Sequence, residues 1–333
     1  MREKIEKLRL AILRILRESE NPVSSARLTE IFSRMGMEIS ERTVRLHLIE
    51  LDKQGLTVYV KKHGRIITGK GTAELEKARV FEKVGFITAK IDLLTYKMNY
   101  DPGRKEGTVV VNISLVEEHS MKDAACMLIT AFESGFSMGR LIGIYYPGES
   151  VGGESIPSGF VGIGTVCSVT LHGAIGSSGI PVHAVFGGLL EIEKGTPLRF
   201  TQIVRYDGTS IDPLEIFIKS KMTRYRDVVT SGNGSIGANF LEIPADALKK
   251  VVEIGKVMEA DGLGSFLSLG WPGHSLLQIP INWGRVGGVI VGGLNPVAYL
   301  EESGIPVTSK AISGLVEYDT LVDFHTLEQE FCR

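Results

Sequence analysis

The strongest constraint on this chain is that most of it beyond residue 85 is written twice. Tyr146-Pro147-Gly148-Glu149-Ser150 returns 125 residues later as Trp271-Pro272-Gly273-His274-Ser275. At the same offset Gly159, Val161 and Gly162 answer Gly284, Val286 and Gly287, and Ser178-Gly179-Ile180-Pro181-Val182 is repeated without a gap as Ser303-Gly304-Ile305-Pro306-Val307. One inserted residue later, Gly188-Leu189-Leu190-Glu191 matches Gly314-Leu315-Val316-Glu317. A duplication of this kind predicts two like units packed pseudo-symmetrically. In each unit a strand (Val109 to Leu115, Ser235 to Ile243) precedes a helix (Met121 to Phe132, Ala245 to Met258). Gly-rich strands and turns follow, and a closing strand begins at Leu189 or Leu315. The predicted outcome is two α+β halves with a cleft between them, the usual place for a small ligand.

Ahead of the repeat the pattern is different. Ile5, Leu8, Ile12, Ile15 and Leu16 recur at helical spacing up to Asn21-Pro22, where a proline ends the run. Ser24 or Ser25 caps a second helix with a core face of Leu28, Ile31, Phe32 and Met35, stopped by Gly36. Ser40 caps a third, with Val44, Leu48 and Leu51 inward and Arg42, Thr43, Arg45 and Glu50 outward. Leu56 to Val60 and Ile66 to Thr68 then read as two strands joined by Lys61-Lys62-His63-Gly64-Arg65. Three helices and a hairpin with a basic tip is the order of a winged helix-turn-helix. In that module the third helix enters the major groove. Ser40, Arg42, Thr43 and Arg45 are therefore candidate base and phosphate contacts, the arginines suiting guanine. Lys61, Lys62, His63 and Arg65 are candidates for backbone contact. Gly69-Lys70-Gly71 reads as a linker to a short helix over 72–79.

Charge agrees with that division. Residues 1–80 hold 17 Lys and Arg against 11 Asp and Glu, a balance of +6, while the remainder holds 20 against 28, or -8. A basic head on an acidic body is expected when one part meets phosphate and the other does not. No run approaches the roughly 18–20 apolar residues of a membrane span. Met1-Arg2-Glu3-Lys4 opens a charged amphipathic helix instead of a signal peptide, so the expected location is cytoplasmic. Cys126, Cys167 and Cys332 suggest neither a disulfide framework nor a metal site.

The expected fold class is thus α+β (mixed α/β). A winged helix-turn-helix DNA-binding domain occupies residues 1–80, and a duplicated, pseudo-symmetric α+β regulatory domain occupies 81–333, with repeats at about 85–209 and 210–333. Catalysis finds little support. Read as part of one strand, Cys167 and His172 fall on opposite faces, and the Gly-rich segments match no full nucleotide-binding signature. An enzyme carrying an autoregulatory winged helix and a module recruiting basal transcription factors are the competing readings. A polar set within the Gly-rich segments, including Thr165, Cys167, Ser168, Thr170 and His172, suggests a binding site instead. The repeats differ there: Glu149 answers His274 and Thr170 answers Asn295. Such unlike walls suit an asymmetric small anion, with Arg140 or Arg285 to pair a carboxylate.

Arg42-Thr43-Val44-Arg45 with its wing, Pro147-Gly148-Glu149-Ser150, Gly164-Thr165-Val166-Cys167-Ser168-Val169-Thr170 and Ser178-Gly179-Ile180-Pro181-Val182 resemble the NrpR family over essentially the whole chain. These are archaeal-type repressors of nitrogen-assimilation genes. The resemblance implies a homodimer on palindromic operators near nitrogen-fixation and glutamine synthetase promoters, released by 2-oxoglutarate. It implies no cofactor, and places the effector near Cys167, Ser168, Thr170 and His172. Some members carry two regulatory domains; this chain has room for one, so a second related regulator joins operator DNA as an expected partner.

Overall fold

In a computed structural model, residues 2–19, 21–82 and 86–332 are described, and the chain forms two units, Met1–Lys83 and Val84–Arg333. The first contains α1 (Arg2–Glu18), α2 (Ser25–Arg34), α3 (Glu41–Lys53), the hairpin β1 (Thr57–Val60) and β2 (Gly64–Ile67), and α4 (Gly69–Glu82). The Ser24 and Ser40 hydroxyls accept the Arg27 and Thr43 N–H groups, each at 3.2 Å, which satisfies donors that a helix start leaves free. Ile12, Leu13, Leu16, Leu28, Phe32, Val44, Leu48 and Leu51 close the core. Met35, expected on the inner face of the second helix, is exposed, because α2 ends at Arg34 and its stripe ends there too.

The predicted linker is absent. Gly69-Lys70-Gly71 forms the first turn of α4, where the Gly71 N–H donates to the Thr68 hydroxyl at 3.0 Å. A Cβ at Gly71 would collide with the Leu56 carbonyl, so this glycine permits helix and hairpin to touch, and Leu75 is buried one turn on.

The second unit runs α5 (Phe86–Lys97), β3 (Thr108–Glu117), α6 (Met121–Glu133), β4 (Leu141–Tyr145), β5 (Ser150–Val151), β6 (Glu154–Ser155), β7 (Phe160–Val166), α7 (Val169–Ser177), β8 (His183–Glu193) and β9 (Thr196–Arg205). It continues through α8 (Pro213–Lys219), α9 (Tyr225–Ser231), β10 (Gly234–Pro244), α10 (Leu248–Ala260), β11 (Phe266–Leu269), β12 (Arg285–Val291), α11 (Asn295–Glu302), β13 (Val307–Glu317), β14 (Val322–Asp323) and α12 (Thr326–Phe331). The apolar run that becomes α5 was not anticipated from the sequence.

Two five-stranded antiparallel sheets result, in the orders β13-β3-β7-β4-β14 and β11-β12-β10-β8-β9. These orders change what the duplication means. β3, β4 and β7 of the first repeat are completed by β13 of the second, and β10, β11 and β12 by β8 of the first. The closing strands have changed places, so the repeats are interlocked where the sequence suggested separate halves. The helices follow the same rule, since α6 packs on α11 and α7 on α10. One continuous core accordingly runs through both repeats.

Register shows how the two sheets correspond. Val111 faces Val166 and Ala238 faces Val291, which makes Val110 equivalent to Gly237 and Asn112 to Asn239. The fully buried Thr170 hydroxyl accepts the Val110 N–H at 3.0 Å and donates to the Val110 carbonyl at 2.8 Å. Its counterpart Asn295 does the same to Gly237, at 2.9 and 3.0 Å. Thr170 and Asn295 are therefore backbone clamps of one design, where the sequence suggested diverged walls of a cleft. Thr170→Val, nearly equal in volume, strands the buried Val110 N–H, while the Val110 carbonyl keeps the Cys167 N–H at 2.9 Å, and is expected to lower stability by about 1–3 kcal/mol. A urea midpoint unchanged from the parent would rule the clamp out.

Candidate DNA interface and effector site

On α3 the buried residues Val44, Leu48 and Leu51 leave an opposite stripe of Arg42, Leu46, Ile49 and Lys53, all exposed. Arg45 lies at its flank, where its guanidinium donates to the Glu41 carboxylate at 2.7 Å and to the Ser25 hydroxyl at 3.3 Å. The Ser25 hydroxyl and then Arg45 hold the Glu41 carboxyl below its usual range. Arg42 is thus the arginine at the centre of the stripe. Ser40 and Thr43 are engaged with each other at the cap, 2.9 Å apart. At the wing tip Lys61, Lys62 and His63 are exposed, with Lys62 in the left-handed region at φ 67°.

Arg65 is placed differently from its neighbours. Its side chain is only 15% exposed, donates to the Asp52 carboxylate at 2.8 Å and lies 5.2 Å from the Tyr59 ring centroid. Thr57 donates to the same carboxylate at 2.5 Å. Arg65 braces the wing against the last turn of α3 and is not free to follow phosphate. Leu46 and Ile49 were passed over in the sequence. Their signal was there: two large apolar residues that do not fall on the core stripe.

In the regulatory unit the structure gathers five of the predicted effector residues and separates the sixth. Thr165, Cys167, Ser168, Thr170 and His172 are all buried at the end of β7 and the start of α7. Cys167, Ser168 and His172 line one internal cavity with Asn112, Asn239, Tyr206 and Asp212. The duplication-related asparagines meet here. Asn239 donates to the Ser168 hydroxyl at 2.8 Å and accepts from Tyr206. Asn112 donates to Thr165 at 3.3 Å and accepts the Ile312 N–H at 2.9 Å. Gly293, equivalent to Ser168, has no room for a Cβ because the Asn112 amide and the Val166 carbonyl fill that space.

This cavity offers about 20 Å³ to a water-sized sphere, enough for a water but far short of a keto dicarboxylate. Beside it an open groove of about 500 Å³ runs between α5 and α7. Ile91 and His172 line both spaces and stand between them. Three buried atoms along the groove, Thr88 Oγ1, Thr95 Oγ1 and His172 Nε2, have no hydrogen-bond partner among the described residues.

His172 lies on a helix, so the strand argument that set it opposite Cys167 does not hold, and both line the same cavity. Their chemistry still differs from that of a nucleophilic pair. Burial raises the Cys167 thiol to about 12 and lowers the His172 imidazole to about 4. Both are neutral at pH 7, whereas attack requires a thiolate beside an imidazolium. Asp212, which caps α8 by accepting the Leu214 N–H at 2.9 Å, is raised by burial to about 7. Half-buried Lys90 is lowered, first by burial and then by Lys310.

Arg285 lies elsewhere. It lines a surface groove of about 490 Å³ with His183, Arg205, Glu242 and Asn282. Arg140 pairs with Asp323 at 3.5 Å and does not line the cavity.

Residues 84–323 match the family model for NrpR regulatory domains NRD1 and 2, and residues 10–75 match that of the ribonuclease R winged-helix domain. The chain belongs to the NrpR family. It is 34% identical over 96% of its length, and 99% of the relative's, to the global nitrogen regulator NrpRI of Methanosarcina mazei. It is 33% identical to the global nitrogen regulator NrpR of Methanocaldococcus jannaschii over 94% of this chain but 54% of that one, so it spans about half of that longer NrpR. The crystal structure of a nitrogen repressor-like protein from Methanococcus jannaschii superposes with a TM-score of 0.60 at 27% identity, covering 71% of this chain and 97% of that one. Among the described residues no helix is long and apolar enough to cross a membrane.

The raised Asp212 gives a test of the buried site. Above pH 4 the unfolded carboxyl ionises while the folded one stays protonated to about pH 7, so this residue lowers stability across that window. Asp212→Asn, which keeps a capping side chain, is expected to match the parent near pH 4. Its advantage should grow with pH to a plateau above 7, at up to about 4 kcal/mol. A gain independent of pH in chemical denaturation would place the ionisation elsewhere.

Proposed function

We propose that this chain represses nitrogen-assimilation genes by binding palindromic operators as a homodimer, and that 2-oxoglutarate releases it. The observation that carries the reading is the presence, in one NrpR-family chain, of a winged helix with Arg42 at the centre of its exposed stripe and a duplicated regulatory unit with a buried polar centre. Arg42 suits bidentate contact with a guanine edge, and Lys61 and Lys62 suit phosphate. One module of this size covers little DNA, which favours two copies on an inverted repeat. The relatives named global nitrogen regulators supply the physiological class, and the proposed location is the cytoplasm. A second related regulator is a proposed partner, consistent with relatives about twice this length.

The size of the polar cavity bears on mechanism. A dicarboxylate cannot occupy about 20 Å³ without displacing Ile91, His172 or the strands behind them. Binding there would select a rearranged state, and operator affinity would fall by the difference in effector affinity between the two states. Lys90, which donates to the carbonyl of the cavity-wall residue Ala311 at 3.5 Å, is a cation placed to engage an anionic ligand there. The groove at Arg285 is a second seat, favoured by its two arginines and by a volume that needs no rearrangement.

Titrating 2-oxoglutarate into the operator complex decides the matter. Operator affinity is expected to fall at millimolar effector, and an unchanged affinity overturns release by this ligand. Ser168→Ala should raise the effector concentration required if the ligand enters the buried centre, and Arg285→Ala if it sits in the groove. Light scattering should report a dimer at micromolar concentration. Arg42→Ala should erase discrimination at the guanine it reads, whereas Lys62→Ala should mainly reduce the salt dependence of binding.

A further inference from the structure

The apolar residues of the α3 stripe have no use in the fold. Leu46 is 61% and Ile49 46% exposed, on successive turns of the face turned away from the winged-helix core. Arg42 precedes them and Lys53 follows, at positions 42, 46, 49 and 53, so one straight line of side chains reads cation, apolar, apolar, cation. Over eleven residues this line is roughly 16 Å long, the rise of about five base pairs of duplex.

Building on the proposed DNA binding, we infer that Leu46 and Ile49 are specificity-determining residues that read the 5-methyl groups of thymines adjacent to a guanine read by Arg42. The major-groove edges of the bases present hydrogen-bonding groups with one apolar exception, the thymine methyl. A large aliphatic side chain on a groove-entering helix gains by covering that methyl and loses by facing any other edge. The flanking charges select nucleic acid as the occupant: Arg42 and Lys53 bracket the pair, Lys61 and Lys62 project from the wing, and residues 1–80 carry +6 overall. Arg45, tied to Glu41 and Ser25, orients the start of the helix beside this stripe.

The test alters the DNA first and the protein second. An operator is selected from random duplexes with the full-length protein, and each thymine is then replaced by deoxyuridine, which lacks only the methyl. One or two positions per half-site should weaken binding by about three- to fivefold each, as burial of a single methyl is worth. In Leu46→Ala or Ile49→Ala the same replacement should cost nothing at its own position, while discrimination at the guanine opposite Arg42 persists. Equal uridine costs in parent and variants, or none in either, overturn the inference while leaving DNA binding intact. So does a Leu46→Ala protein that keeps its thymine preference but loses a protein partner or its dimer. Failure of the parent to select any sequence overturns the DNA reading and this inference together.

Discussion

The exchange of closing strands between the two repeats is the constraint from which the rest of the regulatory unit follows. A sheet built from β3, β4 and β7 ends on an open edge at β3, and the chain covers that edge with β13 from some 200 residues further on. The second sheet borrows β8 in the same way. Neither repeat can cover both edges of its first strand alone, and with the borrowed strand in place β3 and β10 are buried almost throughout their length. Such long-range pairing ties the folding of each repeat to that of the other. The clamps at Thr170 and Asn295 hold the first strand of each repeat by its N–H and C=O, where a free buried N–H would be costly.

Interlocking also explains why a polar centre lies inside an apolar core. Asn112 and Asn239, equivalent by register, line one cavity, so each sheet contributes a matching amide to it. Around them the repeats diverge. Cys167 and Ser168 of one answer Gly292 and Gly293 of the other, and Thr165 answers Ile290. Hydroxyl and thiol groups collect on one side, and on the other Gly293 makes room for the Asn112 amide and the Val166 carbonyl. A nearly symmetric frame thereby gains a directional interior. Its small volume makes it sensitive to rearrangement, because a close-packed interior changes between discrete arrangements and resists gradual deformation.

The winged helix solves a simpler problem. Its core uses one stripe of each helix, and the Asp52–Arg65 pair joins the wing to α3. What remains exposed on α3 is then a chemical pattern free of structural duty. Arg65 shows that a cation in a basic turn can serve the fold, and Leu46 shows that an aliphatic residue can be left for function.

Much of this was legible in the linear chain. The three helices and hairpin, the inward stripe of Val44, Leu48 and Leu51 and the basic wing rest on local periodicity and capping residues, signals that act between neighbours in sequence; the duplication was legible as repeated words, and the family by resemblance. What remained hidden depends on which distant segments meet. Strand exchange leaves every strand's own pattern unchanged, so the repeat could not reveal that β8 and β13 trade places. Cys167 and His172 share a wall because β7 gives way to α7 between them, and Arg285 stands apart from them although the sequence groups them by polarity. The sequence determined most of the elements, the module order and the residues with functional chemistry. Only the tertiary structure decided which of those residues share a cavity, which are committed to holding backbone, and which are free, since burial and partners are set by contacts across the chain.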